Sequence, residues 1–200
     1  MMLPTHAIAG LAIATPLLVL APDHAAVALA GGLVGGVLPD LDLYSGHRRT
    51  LHYPSGYTLA VVPAAGFAAI LQTPLLVALT FVLMGAALHC RMDRYGGGLE
   101  LRPWEATSER AVYDHVRGRW RSPKRWILYD GSPADVGLMV LVGAPLFLVL
   151  DGPFRWAVAA ALLTGVTYGL LRRRLAALAP VVFGNVPESI AGHVPDRYRK

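Results

Sequence analysis

Two hundred residues suffice for one or two domains, but 54% of them are hydrophobic and only 16% are charged, against about 25% in a soluble globular domain. A mean hydropathy of +0.47, with the charges gathered into a few stretches, argues against a water-soluble enzyme and for a polytopic membrane protein. The net charge of +5 is almost wholly arginine, as the basic loops of a membrane protein require, and the single Cys90 excludes an internal disulfide framework.

The start, Met1-Met2-Leu3-Pro4-Thr5-His6, lacks a basic n-region, so the first apolar run reads as a retained helix and not a cleaved signal peptide. Residues 5–21 predict helix one, with Thr5 as N-cap. Pro22-Asp23-His24 reads as a tight loop, with Asp23 capping helix two at 24–38. In that helix Gly31, Gly32, Gly35 and Gly36 make two overlapping G-x-x-x-G spacings, which let a neighbouring helix approach closely. Pro39 disfavours helical geometry at Leu38 and predicts the end of the helix there. Residues 57–71 predict helix three. Thr73 and Pro74 then supply an N-cap and a first helical residue for helix four, 74–93, which closes on His89-Cys90-Arg91-Met92-Asp93. Residues 94–132 form a basic, tryptophan-rich insert. Ser132-Pro133 opens helix five, about 133–150, and Asp151-Gly152-Pro153 turns the chain into helix six, about 154–171, ending at Arg172-Arg173-Arg174; residues 175–200 read as a polar tail. The expected organisation is therefore a four-helix half, 1–93, carrying the chemistry, then the insert, a helical pair over 133–174, and the tail.

Several of these runs are short for a membrane span, which needs about 20 residues; the charge distribution decides. Of 18 Lys and Arg, two lie between helices two and three, nine between Arg91 and Arg125, three after helix six and three in the tail, leaving only Arg155 on the other side. Six spans with both termini in the cytoplasm satisfy the positive-inside pattern. A soluble bundle is disfavoured because the runs lack a polar face. The expectation is an all-α transmembrane bundle of about six spans in the cell membrane, with a cytoplasmic insert between spans four and five.

With that topology, donors scattered through the sequence meet at one face: His6 at the start of helix one, Asp40 and Asp42 after helix two, His47 and His52 in the next loop, and His89 and Asp93 at the end of helix four. Asp40, Asp42 and Asp93 lie near helix C-termini, where the dipole disfavours negative charge, and clustered carboxylates near a bilayer need something positive beside them. A divalent cation supplies it; an ion-pair network with Arg48, Arg91 and Arg94 is the alternative. His89 and Asp93, four apart, share a helix face. All seven donors are candidate ligands. Mixed imidazole and carboxylate donors suit Zn, Mn or Fe better than Ca, with Mg also compatible, and seven donors leave room for one ion or two bridged by a carboxylate. Hydrolysis by metal-activated water is the natural chemistry, with Asp42 or Asp93 as general base and Arg48 and Arg94 as substrate contacts.

These residues resemble the membrane-bound metal-dependent hydrolase family, also described as LexA-binding, inner membrane-associated hydrolases. The likeness rests on the early His6, the glycine-rich helix running into P-D-x-D (Asp40, Asp42), the H-R-x-x-x-H pair (His47, Arg48, His52) and H-x-x-x-D (His89, Asp93). The stretch from Met92 to Glu105 looks like an archaeal branch of that family. Leu51 and Tyr53 stand where threonine and serine are usual around the second histidine, with Thr50 the substitute hydroxyl. The resemblance implies a metal-dependent hydrolase without naming its substrate.

The insert's arginines and tryptophans suit the headgroup level of a membrane. They also suit a cover over the site that binds an anionic substrate, with Glu105, Glu109 and His115 as further ligand candidates. Its arginine–aromatic mixture carries no nucleic-acid recognition motif. The expected partners are the bilayer and a small-molecule or lipid substrate; the oligomeric state stays open. A phosphatase of the acid-phosphatase type is disfavoured because Tyr57, not histidine, follows Pro54-Ser55-Gly56. A non-enzymatic metal transporter or sensor is the second reading, although transporters place their ligands near mid-membrane.

Overall fold

The computed structural model describes residues 1–43, 45–187, 189 and 192–199, with the side chain of Asp196 excepted. Apart from one short hairpin, its regular elements are all helical. The elements are α1 (Leu3–Ala14), α2 (Leu17–Leu20), α3 (Pro22–Val37), a 3-10 turn (Leu38–Asp42), α4 (Pro54–Leu71), α5 (Pro74–Tyr95), β1 (Val112–Asp114), β2 (Arg119–Arg121), α6 (Pro133–Val149) and α7 (Gly152–Phe183). Prolines open α1, α3, α4, α5, α6 and α7, the position where a missing N–H costs nothing. Thr73 and Ser132 cap α5 and α6 through their hydroxyls.

Five helical segments among the described residues are long and apolar enough to cross a membrane: Leu3–Leu20, Pro22–Asp42, Pro54–Leu71, Pro74–Tyr95 and Gly152–Phe183. Pro133–Val149 is apolar but shorter. Leu59, Val62, Phe67 and Ile70 of α4 point outward, as side chains do when the surrounding solvent is hydrocarbon.

α1, α3 and α5 form the centre, and their glycines set the spacing. A Cβ placed on Gly32 would collide with the Gly10 carbonyl of α1, and one on Gly35 with the Val82 carbonyl of α5. One on Gly85 of α5 would lie 2.8 Å from the Gly32 carbonyl. The G-x-x-x-G spacings thus serve two neighbours at once, one on each side of α3. Ile8, Leu11, Leu29, Phe81, Met139 and Val158 fill the core between α1, α3, α5, α6 and α7. Asp135 fastens α6 to the start of the chain, accepting from the Met2 N–H at 2.8 Å and the Thr5 hydroxyl at 2.8 Å. Arg172 of α7 holds Asp130 before α6 at 2.9 and 3.2 Å. These contacts gather the start of α1 and the ends of α3, α5 and α7 at one end of the bundle.

The helix boundaries differ from expectation in several places: helix one starts at Leu3 with Thr5 inside it and breaks after Ala14 into α1 and α2, and α4 starts at Pro54, not at residue 57. α3 begins at Pro22 without a loop, so Asp23 lies inside its first turn. As Pro39 predicts, α3 ends at Val37 with Leu38 as its C-cap; the chain goes on as the 3-10 turn Leu38–Asp42, which carries Asp40 and Asp42. α7 runs to Phe183, well past Arg172-Arg173-Arg174, because Leu175–Phe183 is again apolar.

Candidate metal centre

The site is assembled by three elements. The last turns of α5 project His89 and Asp93 from one face, the 3-10 turn projects Asp40, and the loop that follows it folds back to deliver His52. That loop is tightly made: Gly46 has φ +94° and Arg48 φ +61°, a left-handed conformation that a non-glycine residue adopts at a cost. Arg48 is held there by its N–H on Asp42 Oδ1 at 3.3 Å and by its carbonyl, which accepts from the Tyr113 N–H at 2.9 Å.

One donor atom from each of Asp40, His52, His89 and Asp93 lies within 4.8 Å of all the others. His52 Nε2 and His89 Nε2 stand 3.2 and 3.4 Å from Asp93 Oδ2, and 3.8 and 3.4 Å from Asp40 Oδ1. A tetrahedral ion bound at about 2.0 Å sets its donors about 3.3 Å apart, so these separations, which are equally the distances of hydrogen-bonded ion pairs, fit a ligand set. The chemistry of the imidazoles agrees. His89 Nδ1 donates to the Gly36 carbonyl at 2.7 Å, and His52 Nδ1 meets Asp42 Oδ2 at 2.9 Å. Each bond fixes the tautomer and turns the Nε2 lone pair inward, the arrangement typical of metal-ligating histidine. His89 Nε2 is buried and makes no hydrogen bond, its nearest charged neighbours being Asp40 Oδ1 and Asp93 Oδ2, each at 3.4 Å. This His2Asp2 cluster can hold a metal ion.

Compared with protein-family models, with curated proteins and with solved structures, the chain matches none. The centre is therefore read from its own atoms.

Of the seven ligand candidates, the structure brings Asp40, His52, His89 and Asp93 together and sets the other three around them. His6 stacks on His89 with ring centroids 3.7 Å apart and reaches Asp93 Oδ1 with Nε2 at 3.1 Å; it touches the far oxygen of the carboxylate whose near oxygen faces His52 and His89. His47 Nδ1 lies 3.1 Å from Asp42 and 3.9 Å from Asp40. Asp42 takes a different part from the ligand or base expected of it. Its carboxylate is fully spent on His47, His52 and the N–H groups of Arg48 and Leu51, so it positions His52 from behind. Asp42→Ala is expected to weaken metal binding about 10–100-fold, as loss of an outer hydrogen-bond partner does elsewhere, with metal titration as the readout.

Arg48 lies in the site, its Nη2 3.4 Å from Asp93 Oδ1 and its Nη1 2.9 Å from the Gly97 carbonyl. The Met1 amino group is 3.1 Å from the same Asp93 oxygen. Arg94 turns away from the donors: one residue on from Asp93 it points about 100° around the helix, and its charged neighbours are Arg91, Arg117 and Arg121. Glu105 and Glu109 pair with Arg102 and Arg125 at the surface. Thr50 bonds the Ser45 and Gly46 carbonyls and supplies no hydroxyl to the site. Cys90 is buried packing.

The loop groups report the field of the site. Burial alone opposes charge on His52, yet Asp42 and Asp93 outweigh it and hold its pKa above the ordinary value; an incoming cation competes with that proton for the same lone pair. For His47 burial prevails, aided by Arg48, and its pKa falls. Burial also works against the charge of Arg48, but Asp93 and Asp40 override it and raise its pKa.

Sequence reasoning missed the device that clamps the ligand loop. The β1–β2 hairpin pairs Val112 with Arg121 and Asp114 with Arg119. Buried Asp114 accepts from Ser55 of α4 at 2.9 Å and from Arg121 at 3.0 Å. His115 stacks on Tyr53 and bonds the Arg49 carbonyl at 2.7 Å, while the Arg49 guanidinium lies 4.7 Å above the Tyr113 ring. The hairpin thus grips the chain on both sides of His52. Burial pushes the Asp114 carboxyl up, but the Ser55, Arg117 and Arg121 donors win and hold it below the usual range. Its contribution is therefore complete above the ordinary Asp pKa of about 4 and is lost as pH falls through the depressed value. The fluorescence of Trp120, isolated by comparison with Trp120→Phe, is expected to report release of the hairpin in acid, and Asp114→Asn to remove that transition.

Proposed function

We propose that this chain is an integral membrane metal-dependent hydrolase, akin to the archaeal-type branch of the membrane-bound metal-dependent hydrolase family. The observation that carries the reading is the pair of inward-turned imidazoles, His52 on Asp42 and His89 on the Gly36 carbonyl, facing Asp40 and Asp93 in a buried site. Zn or Mn suits two imidazoles and two carboxylates at these separations, and Mg is the harder alternative. The four-donor set takes one ion; a second would draw on His6 and the outer oxygen of Asp93.

Six spans with the donors and both termini on the cytoplasmic side agree with 17 of the 18 Lys and Arg. The 17 residues of α6 stand at the lower limit of about 17 for a span. The 32 residues of α7, about 48 Å at helical rise, overreach a hydrocarbon core of about 30 Å, so its last turns stand beside the cytoplasmic insert.

When bound, a divalent ion supplies Lewis-acid polarisation and lowers the pKa of water, so hydrolysis needs no serine or cysteine nucleophile. The chain's own groups do the rest. Asp42 and Gly36 fix the imidazoles, and Asp93 keeps one oxygen toward His52 and His89 and the other toward His6 and Arg48. His47, partly exposed with Nδ1 on Asp42, takes a proton from water or returns one to a leaving group. Arg48 directs a guanidinium at developing negative charge. Purified protein is expected to carry a divalent ion and to hydrolyse members of a panel of phosphoesters and carboxylic esters, with Asp40→Ala lacking both properties. Bound ion without turnover on the panel would favour a transporter or sensor.

A further inference from the structure

Beside the donors lies a cavity of about 680 Å³, larger than four ligands and an ion require. Asp40, His47 and Arg48 form one part of its wall, and α7 forms another from Thr164 to Phe183, a distance of about 28 Å along the helix. The cavity is therefore elongated, polar where it meets the donors and apolar elsewhere. Its apolar lining includes Met2, Leu3, Leu175, Leu178, Val182 and Phe183. α7 continues beyond its arginine cluster as an apolar helix, and that continuation is what walls the cavity.

The polar part has a sign. Arg48, Arg172 and Arg197 line it, facing Glu100 and Asp130; Asp130 is already taken up by Arg172, and a divalent ion offsets Asp40 and Asp93. Arg48 Nε and Arg197 Nε are buried without hydrogen-bond partners, as are both oxygens of Glu100. The positive charge of Arg48 and Arg197 on the cavity wall suits the oxygens of a phosphate.

We infer that the substrate is a membrane amphiphile, a phosphoester whose head group lies against Asp40, His47 and Arg48 and whose hydrocarbon chain runs along Leu175–Phe183 of α7. This rests on the hydrolase reading and narrows it to a lipid-like substrate. Cleavage adds water across a P–O bond: the water oxygen joins phosphorus, and the departing alkoxide takes up a proton.

The test uses the full chain in nanodiscs, loaded with Mn, and a hexadecylphosphonate carrying a diazirine at the end of its chain. Light-induced labelling is expected on Leu175–Phe183, competed by dodecylphosphonate but not by methylphosphonate or inorganic phosphate. Ala179→Trp, which fills the cavity away from the donors, should cut that label about tenfold while metal content stays at the wild-type level. Label spread evenly over lipid-facing helices such as α4, or equal competition by inorganic phosphate, would overturn the amphiphile assignment and leave the metal centre standing. Absence of bound metal in the unaltered chain would instead remove the hydrolase reading itself. Because the competition series is run on unaltered protein, the result does not depend on the variant folding.

Discussion

Asp93→Asn is expected to strip the protein of its metal and to lower its stability together. The carboxylate is 1% exposed. One oxygen faces His52 and His89 at 3.2 and 3.4 Å, and the other faces the Met1 amino group, His6 and Arg48 at 3.1, 3.1 and 3.4 Å. The amide keeps the shape and loses the charge, so a ligand is replaced by a poor one and Arg48 is left as a buried cation without its main counter-charge. Removing one partner of a buried pair typically costs about 3–5 kcal/mol. Metal affinity should fall by more than the roughly 10–100-fold that follows loss of an outer partner such as Asp42. Thermal unfolding with and without added metal separates the two effects, because a bound ion raises stability by an amount that grows with its concentration over Kd. An Asp93→Asn protein that still gained stability from metal would show that the carboxylate serves only Arg48.

The second large effect is expected at a residue with no side chain. Gly36→Leu places a Cβ 2.5 Å from the His6 carbonyl oxygen and 3.2 Å from the Ala7 Cα. Both are backbone, so neither rotates away, and α1 must separate from α3. The penalty is expected at or above the usual overpacking range of about 1–3 kcal/mol. It also reaches the site by two routes: His6 moves with α1, and the Gly36 carbonyl that orients His89 moves with α3. Gly66→Leu on α4, where an added Cβ meets nothing within 4 Å, is the control, with stability within about 0.5 kcal/mol of the parent. Equal melting temperatures and equal metal affinity for the two variants would contradict this coupling of helix packing to the site.

The helices were legible because apolar runs are punctuated by Pro and Gly, and a proline stands in the first two positions of α1, α3, α4, α5, α6 and α7, although Pro63, Pro145 and Pro180 lie inside helices. The donors were legible for another reason: histidine and aspartate at the ends of apolar helices are costly, so each asks for a partner. What sequence could not supply was which atom each side chain offers. P-D-x-D reads the same whether Asp42 binds an ion or steadies His52; only the loop reversal at Gly46 and Arg48 decides it. The Gly36 carbonyl has no side chain to announce it. Asp114 and Ser55 are 59 residues apart, and nothing in either segment pairs them. Helix α7 was cut short in the sequence reading because three arginines look like a terminus, although the residues after them are again apolar and helix-forming. Arg94 follows Asp93 directly, and neighbours in a helix point about 100° apart.

Metal analysis of the full chain, purified in detergent without chelator and then titrated against a competing chelator, tests the central claim most directly. The geometry predicts at least one tightly held divalent ion per chain in the parent and none in the His52→Ala, His89→Ala double variant, with helical content retained in both. A parent chain that holds no ion at saturating Zn or Mn, or a double variant that holds as much as the parent, would contradict it.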